Sequence, residues 1–135
     1  MAPSYLEVGA SDKPGAVHLG SVGPINLATL LTTLNDRIEY LFDREHQIGH
    51  AYLMGCDSQG VLDEVMRHKV IPLLAEYFHE DWGKIAAVLG DPNGERFLAR
   101  EALTPPPGFE SEYGGERYRW RVRGAFGPDA YAGLQ

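Results

Sequence analysis

Leu27, Leu30, Leu31, Leu34, Ile38, Leu41 and Phe42 recur at helical spacing, and nothing else in the chain restricts its fold as tightly. An α-helix turns about 100° per residue, so these seven side chains fall on one stripe. Asn35, Asp36, Arg37 and Glu39 are read as turned away from it. An apolar stripe of that length must be covered, and a second one follows in Val61, Leu62, Val65, Met66, Val70, Leu73, Leu74, Tyr77 and Phe78. A third, shorter stripe is Trp82, Ile85, Val88 and Leu89. Three helices sharing one core predict a mainly α fold, a small orthogonal or bundle-like unit.

Local chemistry marks the helix ends. Asn26, after Pro24-Ile25, is an N-cap whose side chain can accept from an orphaned first-turn N–H. The second helix begins around Ser58, and Glu80-Asp81 offers the N-terminus of the third. Gly90 suits the left-handed residue that closes a helix. Pro72 lies inside the second helix, where it lacks an N–H and crowds the carbonyl of His68, so a kink or local opening is expected.

The flanks read differently. Residues 1–24, with Gly9, Gly15, Gly20, Gly23, Pro14 and Pro24, form a loop-rich lead-in with a short extended piece at Tyr5–Val8. The helical domain occupies 25–91. Residues 92–135 are a C-terminal extension, β-hairpin-like or irregular. In it Glu95–Leu103 is a strand or short helix, stopped by Thr104-Pro105-Pro106-Pro107-Gly108. Tyr118, Trp120 and Val122 alternate with Arg117, Arg119, Arg121 and Arg123, the period-two signature of a half-buried strand. Pro128–Leu134 closes the chain with a helical turn.

Composition narrows the class of function. A chain of 135 residues can bury a core without disulfides or structural metals. Cys56 is the single cysteine, no secretory segment is recognisable, and no run approaches the ~20 apolar residues of a membrane span. The expectation is a cytoplasmic protein with no membrane partner. Net charge is −7, from 12 basic and 19 acidic side chains. This argues against direct DNA binding, which gains affinity by releasing counterions to Lys and Arg.

Between the first two helices lies Ile48-Gly49-His50-Ala51-Tyr52, where Gly49 breaks the helical pattern before a short turn or extended segment. His46 and His50 stand four apart, a spacing that can ligate zinc, but Gly49 intervenes and no third ligand is near, so no metal is assigned. Cys56 lacks an orienting acid and an oxyanion-hole motif, so no catalytic residue is assigned either. Tyr77, Phe78 and Trp82 are read as core rather than as a stacking platform. The row Arg117, Arg119, Arg121 and Arg123 has two readings. It is a solvated face balanced by Glu110, Glu112 and Glu116, or it meets phosphates, a partner nuclease or an acidic neighbouring subunit.

Four motifs in order carry a resemblance: Leu34-Asn35-Asp36-Arg37-Ile38-Glu39, Ile48-Gly49-His50-Ala51-Tyr52, Ile71-Pro72-Leu73-Leu74-Ala75-Glu76-Tyr77-Phe78 and Val88-Leu89-Gly90-Asp91. From about Asn26 to Asp91 the chain resembles the C-terminal helical lid of McrB-type AAA+ motors. The resemblance implies a lid that closes over a nucleotide, GTP or ATP with Mg, and joins neighbouring subunits of a ring. It also implies a P-loop core that hydrolyses the nucleotide and a nuclease partner in DNA restriction. No G-x-x-x-x-G-K-[ST] occurs in this chain, so no nucleotide is expected to be bound or hydrolysed by it alone. By resemblance His50 is the candidate nucleotide-sensing residue, with Arg44 and Arg37 as alternatives. Against this stand bland readings, in which His50 bridges two helices and both arginines face water. The expected function is that of a lid fragment, not catalytic alone; the alternative is a free-standing protein-interaction module derived from such a lid.

Overall fold

The computed structural model describes residues 19–109, 117–127 and 129–135. Two short strands, β1 (Ser21–Val22) and β2 (Ile25–Asn26), pair antiparallel across the turn at Gly23-Pro24 and lead into α1 (Leu27–Leu41). The Asn26 side chain accepts from the N–H of Thr29 at 2.9 Å, capping that helix as its chemistry predicts. A connection over 42–49 ends in a 3-10 turn, His50–Leu53. Next come α2 (Gln59–Val65), a π-helical segment (Met66–Val70) and α3 (Ile71–Tyr77), which run on from one another. Ser58 caps α2 by accepting from Val61 N–H, and Asp81 caps α4 (Trp82–Leu89) by accepting from Lys84 N–H.

The disturbance expected from Pro72 takes the form of that π segment. The N–H of Ile71 reaches back five residues to the carbonyl of Met66. A π turn is wider than an α turn, which gives the proline ring room where a regular helix would clash with it. The helix stays buried through the disturbance, at Met66, Val70, Ile71 and Leu74.

Two successive non-glycine residues, His79 (φ 51°) and Glu80 (φ 61°), end α3 in the left-handed region. Their amides donate to the carbonyls of Glu76 and Ala75, satisfying groups that the helix end would otherwise orphan. Gly90 (φ 70°) closes α4.

The extension is built around an antiparallel hairpin, β3 (Leu98–Ala102) with β4 (Tyr118–Val122), in the register Leu98↔Val122 to Ala102↔Tyr118. The segment read as strand or short helix is therefore a strand. A last 3-10 turn, Ala130–Leu134, follows. Phe97, Leu98, Ala130, Tyr131 and Leu134 are buried in one core with the helical stripes. The fold is mainly α, a small helical unit with a β-hairpin at its C-terminal side. Among the described residues no helix is long and apolar enough to cross a membrane. The extended piece expected at Tyr5–Val8 lies outside the described residues, as do Glu110, Glu112 and Glu116.

Candidate functional site

One correction shapes the site. Asn35, read as turned away from the apolar stripe, is fully buried within it. Its Nδ2 donates to the carbonyl of Ile48 at 3.0 Å, and its Oδ1 accepts the Ile48 N–H at 2.6 Å. A side-chain amide thus stands in for a strand neighbour, satisfying both backbone groups of a buried residue. The stripe itself held the signal: Asn35 follows Leu27 and Leu31 at steps of four. Because Ile48 precedes Gly49 and His50 directly, this clamp sets where the 3-10 turn begins. The first two sequence motifs are one physical object.

His50 is half-buried as the first residue of that turn. Arg44 is exposed in the connection before it. Upstream, Asp43 organises the start of the connection by accepting from the amides of Glu45 (2.9 Å) and His46 (3.0 Å) and from His46 Nδ1 at 2.7 Å. The hydrogen bond from the His46 ring leads the causes that hold the Asp43 carboxyl below its ordinary value. The His46 ring in turn packs at 4.5 Å from the Phe42 ring and edge-on at 5.0 Å from Tyr77, and Phe42 lies 5.7 Å from Phe78. This cluster joins the end of α1 to the end of α3. Tyr77 and Phe78 serve packing here, as read from the sequence. His46 and His50 are not presented together on a helix, and among the described residues no group of three or more His, Cys, Asp or Glu gathers to hold a metal.

Arg37 is engaged on the far side of α1. Its Nη1 donates to the carbonyl of Val88 at 3.1 Å and its Nη2 to that of Gly133 at 2.9 Å. The guanidinium fork thereby ties α1 to α4 and to the last turn of the chain. Space there is tight: a Cβ on Gly90 would stand 2.9 Å from the Gly133 carbonyl oxygen and 3.1 Å from Arg37 Nη1. Next to it the buried Asp91 carboxylate accepts four amides, those of Glu95 (2.6 Å), Arg96 (3.0 Å), Phe97 (2.9 Å) and Leu98 (2.9 Å). The Val88-Leu89-Gly90-Asp91 motif is therefore the seam between the helices and the extension. Tyr131 adds a tie by donating to Asp63 Oδ1 at 2.6 Å, and burial together with this bond raises the phenol above its ordinary range.

The arginine row of β4 is divided by the fold. Arg119 pairs with Glu101, its neighbour across the hairpin, at 3.0 Å. Arg121 faces outward opposite Ala99 and has no carboxylate partner among the described residues. Arg123 turns inward, donating from Nε to the carbonyl of Leu98 at 2.7 Å and from Nη2 to that of Gly94 at 2.9 Å. Arg117 is exposed beside the strand. Between the outward residues lies a notch of about 280 Å³ lined by Ala99, Arg100, Glu101, Arg119 and Arg121. Arg100 sits on the other face with its guanidinium 4.0 Å from the centre of the Tyr118 ring.

The family model for the McrB alpha-helical lid domain matches residues 26–86, somewhat under half of the chain. The match opens at the Asn26 cap and ends inside α4, so it contains Asn35, Ile48, His50 and the π segment. This stretch is similar to a lid region of the McrB type. No curated protein matches the chain.

Proposed function

We propose that the helical unit covers a nucleotide held by a P-loop AAA+ core and passes the closure on to a neighbouring subunit, with catalysis residing in that core. The supporting observation is the clamp between Asn35 and Ile48 within the matched stretch, which gives His50 a fixed place at the mouth of the junction. An imidazole can donate to a phosphate oxygen in either charge state, and Arg44 is exposed in the connection before it. Arg37 suits a different role, since both its terminal nitrogens already donate to carbonyls; it braces the lid against the extension. GTP or ATP with Mg is the expected ligand of the assembled protein. Its phosphates and metal belong to the core, because an imidazole and an arginine can touch a phosphate but do not cradle one. The partners in this reading are the P-loop core or neighbouring subunits, and a nuclease acting in DNA restriction.

The test is titration of GTP and ATP against the chain alone, against an added P-loop core, and against both together. Tighter binding when chain and core are combined, weakened by His50→Ala, is expected. Equal binding by the core with and without the chain overturns the lid reading. It would leave the second reading, a free-standing interaction module, which the outward Arg119 and Arg121 favour.

A further inference from the structure

The tip of the β3–β4 hairpin takes no part in the core, the seam or the junction, and its composition is unusual for a surface loop. Exposure rises along β3 from the buried Leu98, and residues 101–109 are all exposed. At a rise of roughly 3.4 Å per residue, Leu103 stands roughly 17 Å along the strand from Leu98. The arm is braced up to that point. The Arg100 guanidinium covers the Tyr118 ring at 4.0 Å and lies 5.8 Å from that of Trp120. The Leu103 N–H donates to the Arg117 carbonyl at 2.8 Å, one step past the end of β3. Beyond it comes Thr104-Pro105-Pro106-Pro107-Gly108-Phe109, with no charged side chain. Leu103 is 41% and Phe109 46% exposed, so large apolar side chains left in solvent bracket the prolines on both sides.

Covalent geometry fixes the backbone of this tip without help from the core. A proline ring holds φ at about −65°, and a following proline drives the residue before it to extended ψ. Thr104, Pro105 and Pro106 each precede a proline, so Pro105 and Pro106 are held in the polyproline II conformation. A turn follows, in which the Phe109 N–H donates to the Pro106 carbonyl at 3.0 Å and Gly108 has φ 90°. With Pro107 second and Gly108 third, this is a type II turn, whose third position needs that positive φ. It brings Phe109 back beside the proline row. The whole apolar tip is displayed with little freedom left to lose on binding.

We propose that residues 103–109 are a ligand segment that seats in an aromatic-lined, polyproline-reading groove of another protein. Such grooves take polyproline II segments because their shape is set beforehand. Phe109 is the anchor beside the proline row, since aromatic side chains are enriched at interface centres. The same chemistry excludes other modes of recognition. Successive prolines have no N–H to add to a sheet edge, and residues 102–109 offer no cation to a phosphate. The segment lies outside residues 26–86, and its role goes beyond the covering of a nucleotide.

Two-dimensional NMR of the isotope-labelled full chain tests it, with an SH3, a WW and an EVH1 domain titrated in turn as polyproline-reading probes. Saturable shifts at the amides of Leu103, Thr104, Gly108 and Phe109 are expected with at least one probe, while α1 and the turn at His50 stay unmoved. Pro105→Ala/Pro106→Ala and Phe109→Ala should each weaken that binding by about tenfold or more. Melting should be unchanged, because the altered side chains are exposed. A Cβ at Gly108 has open space among the described residues, so Gly108→Ala disturbs only the turn and should weaken binding as well. No shift at these amides with any probe, or shifts equal in the native chain and the variants, overturns the proposal. So does binding of the same amides to phosphatidylcholine–phosphatidylglycerol vesicles in place of the probes, which assigns the tip to a lipid surface. Concentration-dependent shifts of the chain alone, lost in the proline variant, overturn it too and assign the tip to a second copy. Nucleotide titration is expected to be the same for these variants as for the native chain, so the two readings fail separately.

Discussion

Replacing Asn35 is the sharpest test of how the junction between α1 and the 3-10 turn is held. Asn35→Ala removes the partner of two buried backbone groups at once, the N–H and the carbonyl of Ile48. Each orphaned group costs about 1–3 kcal/mol, so the loss is about 2–6 kcal/mol before any relaxation. Domains of this size have total stabilities of about 5–15 kcal/mol, and the substitution would consume a large share. At about 3–6 °C per kcal/mol, melting should fall by about 6–36 °C. Urea unfolding should show a lower midpoint at an unchanged slope, and hydrogen exchange at the Ile48 amide should accelerate more than exchange in α4. Asn35→Leu separates hydrogen bonding from space filling, because leucine occupies similar volume and can bond to neither group. If Asn35→Leu melts with the native chain, the hydrogen-bond argument is wrong, and the junction is held by packing alone.

Three further outcomes follow from the same physics. Asp91→Ala should cost about 2–6 kcal/mol in urea unfolding, since the buried amides of Phe97 and Leu98 lose their acceptor, and Asp91→Asn should recover part of it. Glu80→Gly should stabilise by about 0.5–1 kcal/mol, the relief of a left-handed L-residue less the entropy glycine adds to the unfolded chain; a lower melting temperature would refute the strain argument. The Asp43 carboxyl is held below its ordinary value, so its contribution is fully present above the ordinary carboxylate range and is lost as pH falls through the lowered one. Asp43→Asn should therefore flatten the acid limb of the stability–pH curve and leave its neutral region unchanged in slope.

The helix ends were legible because caps are local chemistry. Asn26, Asp81 and Gly90 each act within a few residues of their own position, and a reader of the chain can see all the partners involved. Pro72 announced a disturbance, but its form depended on which turn could widen without exposing Met66 or Val70, and that is a tertiary question. By polarity Asn35 reads as outward-facing, yet its step of four from Leu31 puts it in the core, where a polar side chain must have a partner. The arginine row shows the opposite limit. Alternation correctly separated Arg119 and Arg121 from Trp120, yet nothing in the spacing says that the carbonyls of Leu98 and Gly94 wait for Arg123. At the junction, motif order carries the resemblance but leaves the clamp between Asn35 and Ile48 unseen.

The last residue of the chain ties back to the first helix. The side-chain amide of Gln135 accepts the Asn26 N–H at 2.7 Å and donates to the Asn26 carbonyl at 3.2 Å. Asn26 is the cap of α1, so this unit is entered and left at one spot. A tensile load applied between residues 26 and 135 meets those two exposed bonds first, each worth about 0.5–1.5 kcal/mol. Once they part, the pull passes to the turn carrying Tyr131 and Leu134 at one end and, through its cap, to α1 at the other. Such a load therefore opens the closure between Gln135 and Asn26 before it reaches any buried contact.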